Sequence, residues 1–170
     1  MSAIALGRLS RRCALLEHTV LRPGVFLDRD GTTSEELGYL NHISRFRMLS
    51  GAAAAIRRLN EARMVVTNQS GFGRGYFPEA LVLEVHERLV SELAREGARV
   101  DGVYYCPHVS SDDCACRKPK TGMLEQAAAD LRLALDRSFV VGDRAGRYQP
   151  DFVAADLSQA VEWILEDNRR

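Results

Sequence analysis

The chain has 170 residues, 46% of them hydrophobic and 27% charged, with Lys plus Arg equal to Asp plus Glu at 23 each. That length suits a single domain with a sizeable core, and the balanced charge provides no global field for nucleic acid or a membrane surface. No apolar run approaches membrane-spanning length; Ala3-Ile4-Ala5-Leu6 is too short for a secretory core, and Arg8, Arg11 and Arg12 interrupt the stretch after it, so a cytoplasmic protein is expected.

Residues 1–22 read as an N-terminal extension, a short helix around 11–17 or disordered chain, ahead of a domain over 23–170. Val25-Phe26-Leu27 is the signature of a buried strand, and it runs directly into Asp28-Arg29-Asp30-Gly31-Thr32. A polar, irregular stretch over 33–47 comes next. An alanine-rich helix is expected over 52–63, with Ile56 and Leu59 facing inward. A short strand over 64–67 ends in Asn68-Gln69-Ser70-Gly71, and Gly71, Gly73 and Gly75 mark a loop. Pro78 starts a long helix to about residue 96, whose apolar face is Leu81, Leu83, Val85, Leu89, Val90 and Leu93. Strands at 103–105 and 139–143 and helices at 122–131 and 157–166 complete the pattern. Strands alternating with helices predict an α/β, three-layer, Rossmann-like domain with a mainly parallel sheet.

Three of these strands end in groups suited to one chemistry. The carboxyl ends of parallel strands converge on a single crevice. Asp28 and Asp30 there can divide a task, one attacking phosphorus and the other moving a proton. Asp28 and Asp143 offer hard oxygens suited to Mg²⁺, Thr67 and Asn68 can donate to phosphoryl oxygens, and Arg117-Lys118 adds positive charge. Each residue alone also fits a turn, a cap or a solvated cation; their shared placement points to phosphoryl chemistry on a small phosphorylated substrate.

Cys106, His108, Cys114 and Cys116 form a second group, apart from a lone Cys13. Three thiolates and an imidazole make a closed tetrahedral zinc site with a structural role, the alternative being a reduced, unmetallated loop. One residue separates the ligands within each pair, unlike the two-residue knuckle of zinc fingers. His18, His42 and His86 are expected on surfaces or helix faces. Arg74 either meets a second phosphate or faces solvent. The glycine loop is neither a dinucleotide fingerprint nor a Walker A sequence, and no Gly-x-Ser-x-Gly surrounds Ser70.

The segments Phe26-Leu27-Asp28-Arg29-Asp30-Gly31-Thr32, Val65-Val66-Thr67-Asn68-Gln69-Ser70-Gly71, Cys116-Arg117-Lys118-Pro119 and Val140-Val141-Gly142-Asp143 resemble the four motifs of haloacid-dehalogenase-superfamily phosphatases. More narrowly, the chain resembles the branch that holds the heptose-bisphosphate and histidinol-phosphate phosphatases. The resemblance implies that Asp28 is the nucleophile and Asp30 the general acid and base. It implies Mg²⁺ on Asp28, the Asp30 carbonyl and Asp143, with Thr67 and Lys118 holding the phosphoryl group. It places Glu36, Leu37, Gly38, Tyr39, Thr67, Asn68, Gln69, Ser70, Arg117, Lys118 and Arg144 against the substrate. A heptose bisphosphate is the expected substrate and histidinol phosphate the alternative.

The match breaks in one region. Arg147 stands where the family has an acid, and the chain passes from Gly146 almost directly to Pro150-Asp151-Phe152-Val153. A C-terminal helix and strand are thus expected to be missing, leaving the 139–141 strand as an exposed edge. A monomer or an edge-paired homodimer is then expected, and a third reading is a degenerate, weakly active phosphatase-like binding protein.

Overall fold

Val25, Phe26 and Leu27 are all buried, yet they serve two different cores. Val25 and Leu27 pack with Ile56, Leu59, Val66, Leu89 and Ile164, whereas Phe26 packs with Ala127 and Leu133. Alternate side chains of a strand point to opposite faces, so this segment lies in a sheet covered on both sides. The computed structural model describes residues 4–8, 21–36, 38, 42–71, 78–144 and 149–169. For 4–8, 65, 68–71 and 110 it describes the backbone alone.

The elements are Ile4–Arg8 (β1), Gly24–Asp28 (β2), Ala52–Glu61 (α1), Val65–Gly71 (β3), Glu79–Arg95 (α2), Gly102–Cys106 (β4), Gly122–Leu131 (α3), Phe139–Gly142 (β5), Phe152–Ala154 (β6) and Leu157–Asp167 (α4). The six strands are ordered β4-β3-β2-β5-β1-β6. β4, β3, β2 and β5 run parallel, while β1 is antiparallel to both β5 and β6. The helices α1, α2 and α4 contribute to the larger core on one face; α3 covers the other. The three-layer α/β architecture is therefore as expected.

Two expectations change on this side of the molecule. The 139–141 strand is not an edge: β1 pairs along its outer side, from Arg8 opposite Phe139 to Ala5 opposite Gly142. Residues 4–8 thus belong to the sheet, and the edge proposed for a paired homodimer is occupied. β6 then adds to β1, with Leu6 opposite Phe152. Trp163 of α4 stacks on Phe152 with ring centroids 5.5 Å apart and meets Phe139 edge-on at 6.0 Å. These contacts tie α4 to β5 and β6 together. The helix expected around 11–17, with Cys13 and His18, lies outside the described residues.

Smaller corrections concern β3 and α2. β3 continues past Thr67 to Gly71 because β4 pairs with it as far as Cys106 opposite Gly71. On α2, Val82, Val85, His86, Leu89 and Leu93 are buried, whereas Leu83 and Val90 are exposed. The apolar stripe is narrower than the sequence suggests, and His86, expected on a surface or a helix face, lies on the buried face of the helix. His42 is exposed, as expected.

Candidate active site

The turn after β2 is built around one carbonyl. The Arg29 oxygen accepts from the backbone N–H groups of Thr32 (3.3 Å), Thr33 (2.9 Å) and Ser34 (2.9 Å), and also from the Thr33 hydroxyl at 3.1 Å. Gly31 closes the turn at φ 75°, a region that favours glycine, and its N–H donates to the Ser34 carbonyl at 2.7 Å. Glycine is required there for a second reason. A Cβ on Gly31 would lie 2.6 Å from Asp143 Oδ2. The missing side chain is what lets the end of β5 approach the turn after β2.

Asp28, Asp143 and Lys118 therefore meet. Lys118 Nζ lies 3.1 Å from Asp28 Oδ1, and the same oxygen accepts from the Arg29 N–H at 2.9 Å. Gly142 brings β5 against Asp28, with its would-be Cβ 3.6 Å from the Asp28 Cβ. Burial pushes the Asp143 carboxyl above the usual carboxylate range; the Arg144 guanidinium opposes this, while the negative charges of Asp28 and Glu36 add to it. Facing hard-oxygen donors that repel one another are a fit for a divalent cation such as Mg²⁺. Thr67 is wholly buried on β3, and its hydroxyl has no partner among the described residues, as is also true of Thr32. A buried, unsatisfied hydroxyl is uncommon in folded proteins, and a phosphoryl oxygen would satisfy this one.

Asp30 lies in the same turn but has a different partner, the Arg29 guanidinium. Glu36 accepts from the Gly38 N–H at 2.9 Å and pairs with Arg144 at 3.3 Å, which links the loops after β2 and β5. Arg117 donates to the His108 carbonyl at 3.0 Å. Of the other residues expected against the substrate, Leu37 and Tyr39 lie outside the described residues, as do Arg74 and Arg147. Asn68, Gln69 and Ser70 are described as positions on β3 only.

The second cluster also forms. Ligand atoms of Cys106, His108, Cys114 and Cys116 all lie within 4.8 Å of one another. Sulfur–sulfur distances are 3.2–3.6 Å, and His108 Nδ1 is 3.2 Å from the Cys116 sulfur. A tetrahedron with zinc–sulfur bonds of about 2.3 Å has edges of about 3.8 Å, so the group is close to the required size. Burial, the hydrogen bonds that Cys116 donates to the Cys106 and Cys114 sulfurs, and the negative charge of those sulfurs push the Cys116 thiol up to about 12. A cation of two positive charges would relieve that crowding.

Sequence reasoning gave Arg29 no role of its own, read Gly31 only as the glycine of the turn, and gave His86 no function. The first two were visible as a cation and a glycine inside a four-residue acidic turn. His86 carried no signal beyond its place among the apolar residues of α2.

Comparison with known proteins bears on the family and the fold. The family profile for polynucleotide kinase 3 phosphatases matches residues 49–166. The D-glycero-beta-D-manno-heptose-1,7-bisphosphate 7-phosphatase of Haemophilus influenzae is 41% identical over 133 residues, covering 73% of this chain and 72% of that protein. The enzyme of the same description from Yersinia pestis is 42% identical over 168 residues, covering 84% and 89%. Among solved structures, the D,D-heptose 1,7-bisphosphate phosphatase of B. bronchiseptica, complexed with magnesium and phosphate, superposes with a TM-score of 0.71 at 25% identity, covering 85% of this chain and 99% of its own. A HAD-like phosphatase structure from Mesorhizobium loti has a TM-score of 0.76 at 25% identity and covers 99% of this chain and 95% of its own. Agreement of this extent in both sequence and fold establishes the family: the chain belongs to the phosphatases of the haloacid-dehalogenase superfamily, in the branch of the heptose-bisphosphate 7-phosphatases.

Proposed function

We propose that this phosphatase is Mg²⁺-dependent and hydrolyses a heptose bisphosphate through an aspartyl-phosphate. The observation that carries the reading is the meeting of Asp28, Asp143 and Lys118 across three loops. Relatives about 40% identical act, by their descriptions, on heptose 1,7-bisphosphate, and a solved relative contains magnesium and phosphate.

Asp28 attacks phosphorus in line with the leaving oxygen, and its carboxylate becomes an acyl phosphate. Lys118 and the Thr67 hydroxyl hold the phosphoryl oxygens as charge spreads over them. Asp30 gives its proton to the departing sugar oxygen and then takes one from the water that cleaves the acyl phosphate. Asp28, the Asp30 carbonyl and Asp143 would hold Mg²⁺, which neutralises phosphoryl charge when bound. Glu36, Gly38, Arg117 and Arg144 border the place of the sugar; Leu37, Tyr39, Asn68, Gln69 and Ser70 are assigned there by sequence alone. Cys106, His108, Cys114 and Cys116 would hold a structural Zn²⁺, which would fix the segment that delivers Arg117 and Lys118.

Histidinol phosphate is the competing substrate, supported by the five residues, 109–113, between His108 and Cys114. Steady-state kinetics of the purified chain on both compounds, with Asp28→Asn in parallel, test the proposal. A preference for the heptose bisphosphate of at least about tenfold is expected, with a loss of about 10⁴-fold or more in the Asn variant. Preference for histidinol phosphate would overturn the substrate. Near-normal turnover by Asp28→Asn would overturn the nucleophile.

A further inference from the structure

The two aspartates of the catalytic turn are two residues apart, yet each has its own cation. Asp28 accepts from Lys118 and from a backbone N–H. Asp30 is held by Arg29, whose Nε donates to Oδ1 at 2.9 Å and whose Nη2 donates to Oδ2 at 2.8 Å. Two parallel bonds from one guanidinium fix a carboxylate in plane and direction, which a single ammonium cannot do.

The clamp is itself held rigidly. The Arg29 side chain is only 10% exposed, whereas that of Asp30 is 37% exposed. The Arg29 carbonyl anchors the whole turn through three backbone N–H groups. Among the described residues, Asp30 is the carboxylate paired with this buried guanidinium. Ser34 adds a weak contact, its hydroxyl 3.4 Å from Asp30 Oδ1. The buried guanidinium therefore engages both Asp30 oxygens while the carboxyl stays partly exposed.

An unclamped Asp30 would have other places to go. Asp28, Asp143 and Lys118 meet beside this turn, and a free carboxylate nearby is drawn to Lys118 or to a cation held by its neighbours. We propose that Arg29 is a positioning residue for the proton-transfer step, its two-pronged bond to Asp30 keeping that carboxyl off the cation site and aimed at the leaving oxygen. This rests on the acid–base role given to Asp30 above. The chemistry itself is unchanged: the oxygen–phosphorus bond breaks, its electron pair stays on the sugar oxygen, and the proton comes from Asp30.

The leaving group discriminates this role from a merely structural one. A sugar or glycerol alkoxide is strongly basic and needs the proton; p-nitrophenolate leaves readily without it. Arg29→Lys keeps the charge and removes the fork. The full chain, the Lys variant and Asp30→Asn are followed with Mg²⁺ through a single turnover of glycerol phosphate and of p-nitrophenyl phosphate, so that leaving-group release is read apart from the water step, which uses Asp30 with both esters.

With Arg29→Lys, the rate constant of leaving-group release should fall about 100-fold for glycerol phosphate and less than about threefold for p-nitrophenyl phosphate. Asp30→Asn should show the same selectivity to a greater degree. Equal losses on both esters, or no loss, in a folded Lys variant would overturn the positioning role while leaving Asp30 as the acid. Absence of selectivity in Asp30→Asn would remove the acid assignment and the inference with it. If Arg29→Lys does not fold, Arg29→Gln, which keeps a planar donor to one oxygen, is read by the same ratio. Failure of both to fold would overturn the proposal in favour of a structural ion pair.

Discussion

The parallel core β3-β2-β5 is flanked in two different ways, and each flank brings one charge to the crevice. On one side β4 runs into the Cys₃His cluster, and two residues beyond Cys116 comes Lys118. On the other side β5 ends in Asp143, and β1 and β6 close the sheet beyond it. The first flank is local, its four ligands falling between residues 106 and 116. The second joins distant chain, since Ala5 pairs with Gly142, 142 − 5 = 137 positions further on. Local geometry that gathers side chains within ten residues of one another can be read from spacing. Geometry held by a strand from the far end of the chain cannot.

Removing the second flank should have the larger effect. Deleting residues 1–9 leaves β5 without its outer partner and β6 without the strand that joins it to the sheet. Losing a paired strand on the order of 4 kcal/mol in strength should lower Tm by about 10 °C at this chain length. Because Asp143 comes directly after β5, the Mg²⁺ concentration for half-maximal activity should rise about tenfold, or about 1.4 kcal/mol. Thermal melts and Mg²⁺ titrations of the full and shortened chains provide the measurement. Identical curves would mean that β1 supports neither the sheet nor Asp143.

Breaking the first flank tests whether ligand chemistry does the same work over a shorter span. Cys114→Ser should lower a bound zinc content of about one per chain and reduce kcat by about tenfold through Lys118, with a smaller fall in Tm than the deletion causes. Metal analysis and phosphatase assays on matched samples decide it. A wild-type chain that is fully active without zinc, and a Ser variant indistinguishable from it, would remove the site.

Legibility in the sequence divides along the same line. Val25-Phe26-Leu27 announced a strand because three consecutive buried residues can only face two covered sides. Asp28, Thr67, Lys118 and Asp143 were recognisable because each ends such a run, comes just after one or sits beside a ligand motif. Ile4–Arg8 gave no comparable signal: five residues with a glycine and an arginine become a strand through their partners. The gap after Gly146 was visible, but the strand that covers β5 was not, because it lies before the domain rather than after it. This also weakens the case for an inert protein, one of whose grounds was an uncovered β5. Arg147, the other ground, lies outside the described residues. Gly31 was read as a turn residue, and only the 2.6 Å approach of Asp143 reveals its second function.

The smallest effect concerns neither flank but the core between them. His86 on α2 is buried, with its ring centroid 5.6 Å from that of Tyr105 on β4. Burial, and to a lesser degree the Arg29 charge, lower its pKa from 6.5 to about 4, with Asp30 partly opposing them. The folded chain therefore holds the imidazole neutral over a range in which the unfolded chain protonates it. Above pH 6.5 both states are neutral and the group adds no pH dependence. As the pH falls from 6.5 towards 4, the unfolded state gains a proton that the folded state refuses, and stability is lost. The loss should be on the order of 1–2 kcal/mol, less than the full shift would give because solvent near the turn screens part of it. Urea unfolding of the wild type and of His86→Gln at pH 7.5 and pH 4.5 isolates this contribution, since the carboxylates titrate in both proteins. The Gln variant should be less stable at pH 7.5 yet lose less on acidification. An equal loss in the two proteins would show that His86 is not held neutral, and the acid sensitivity of the core would then belong to its carboxylates.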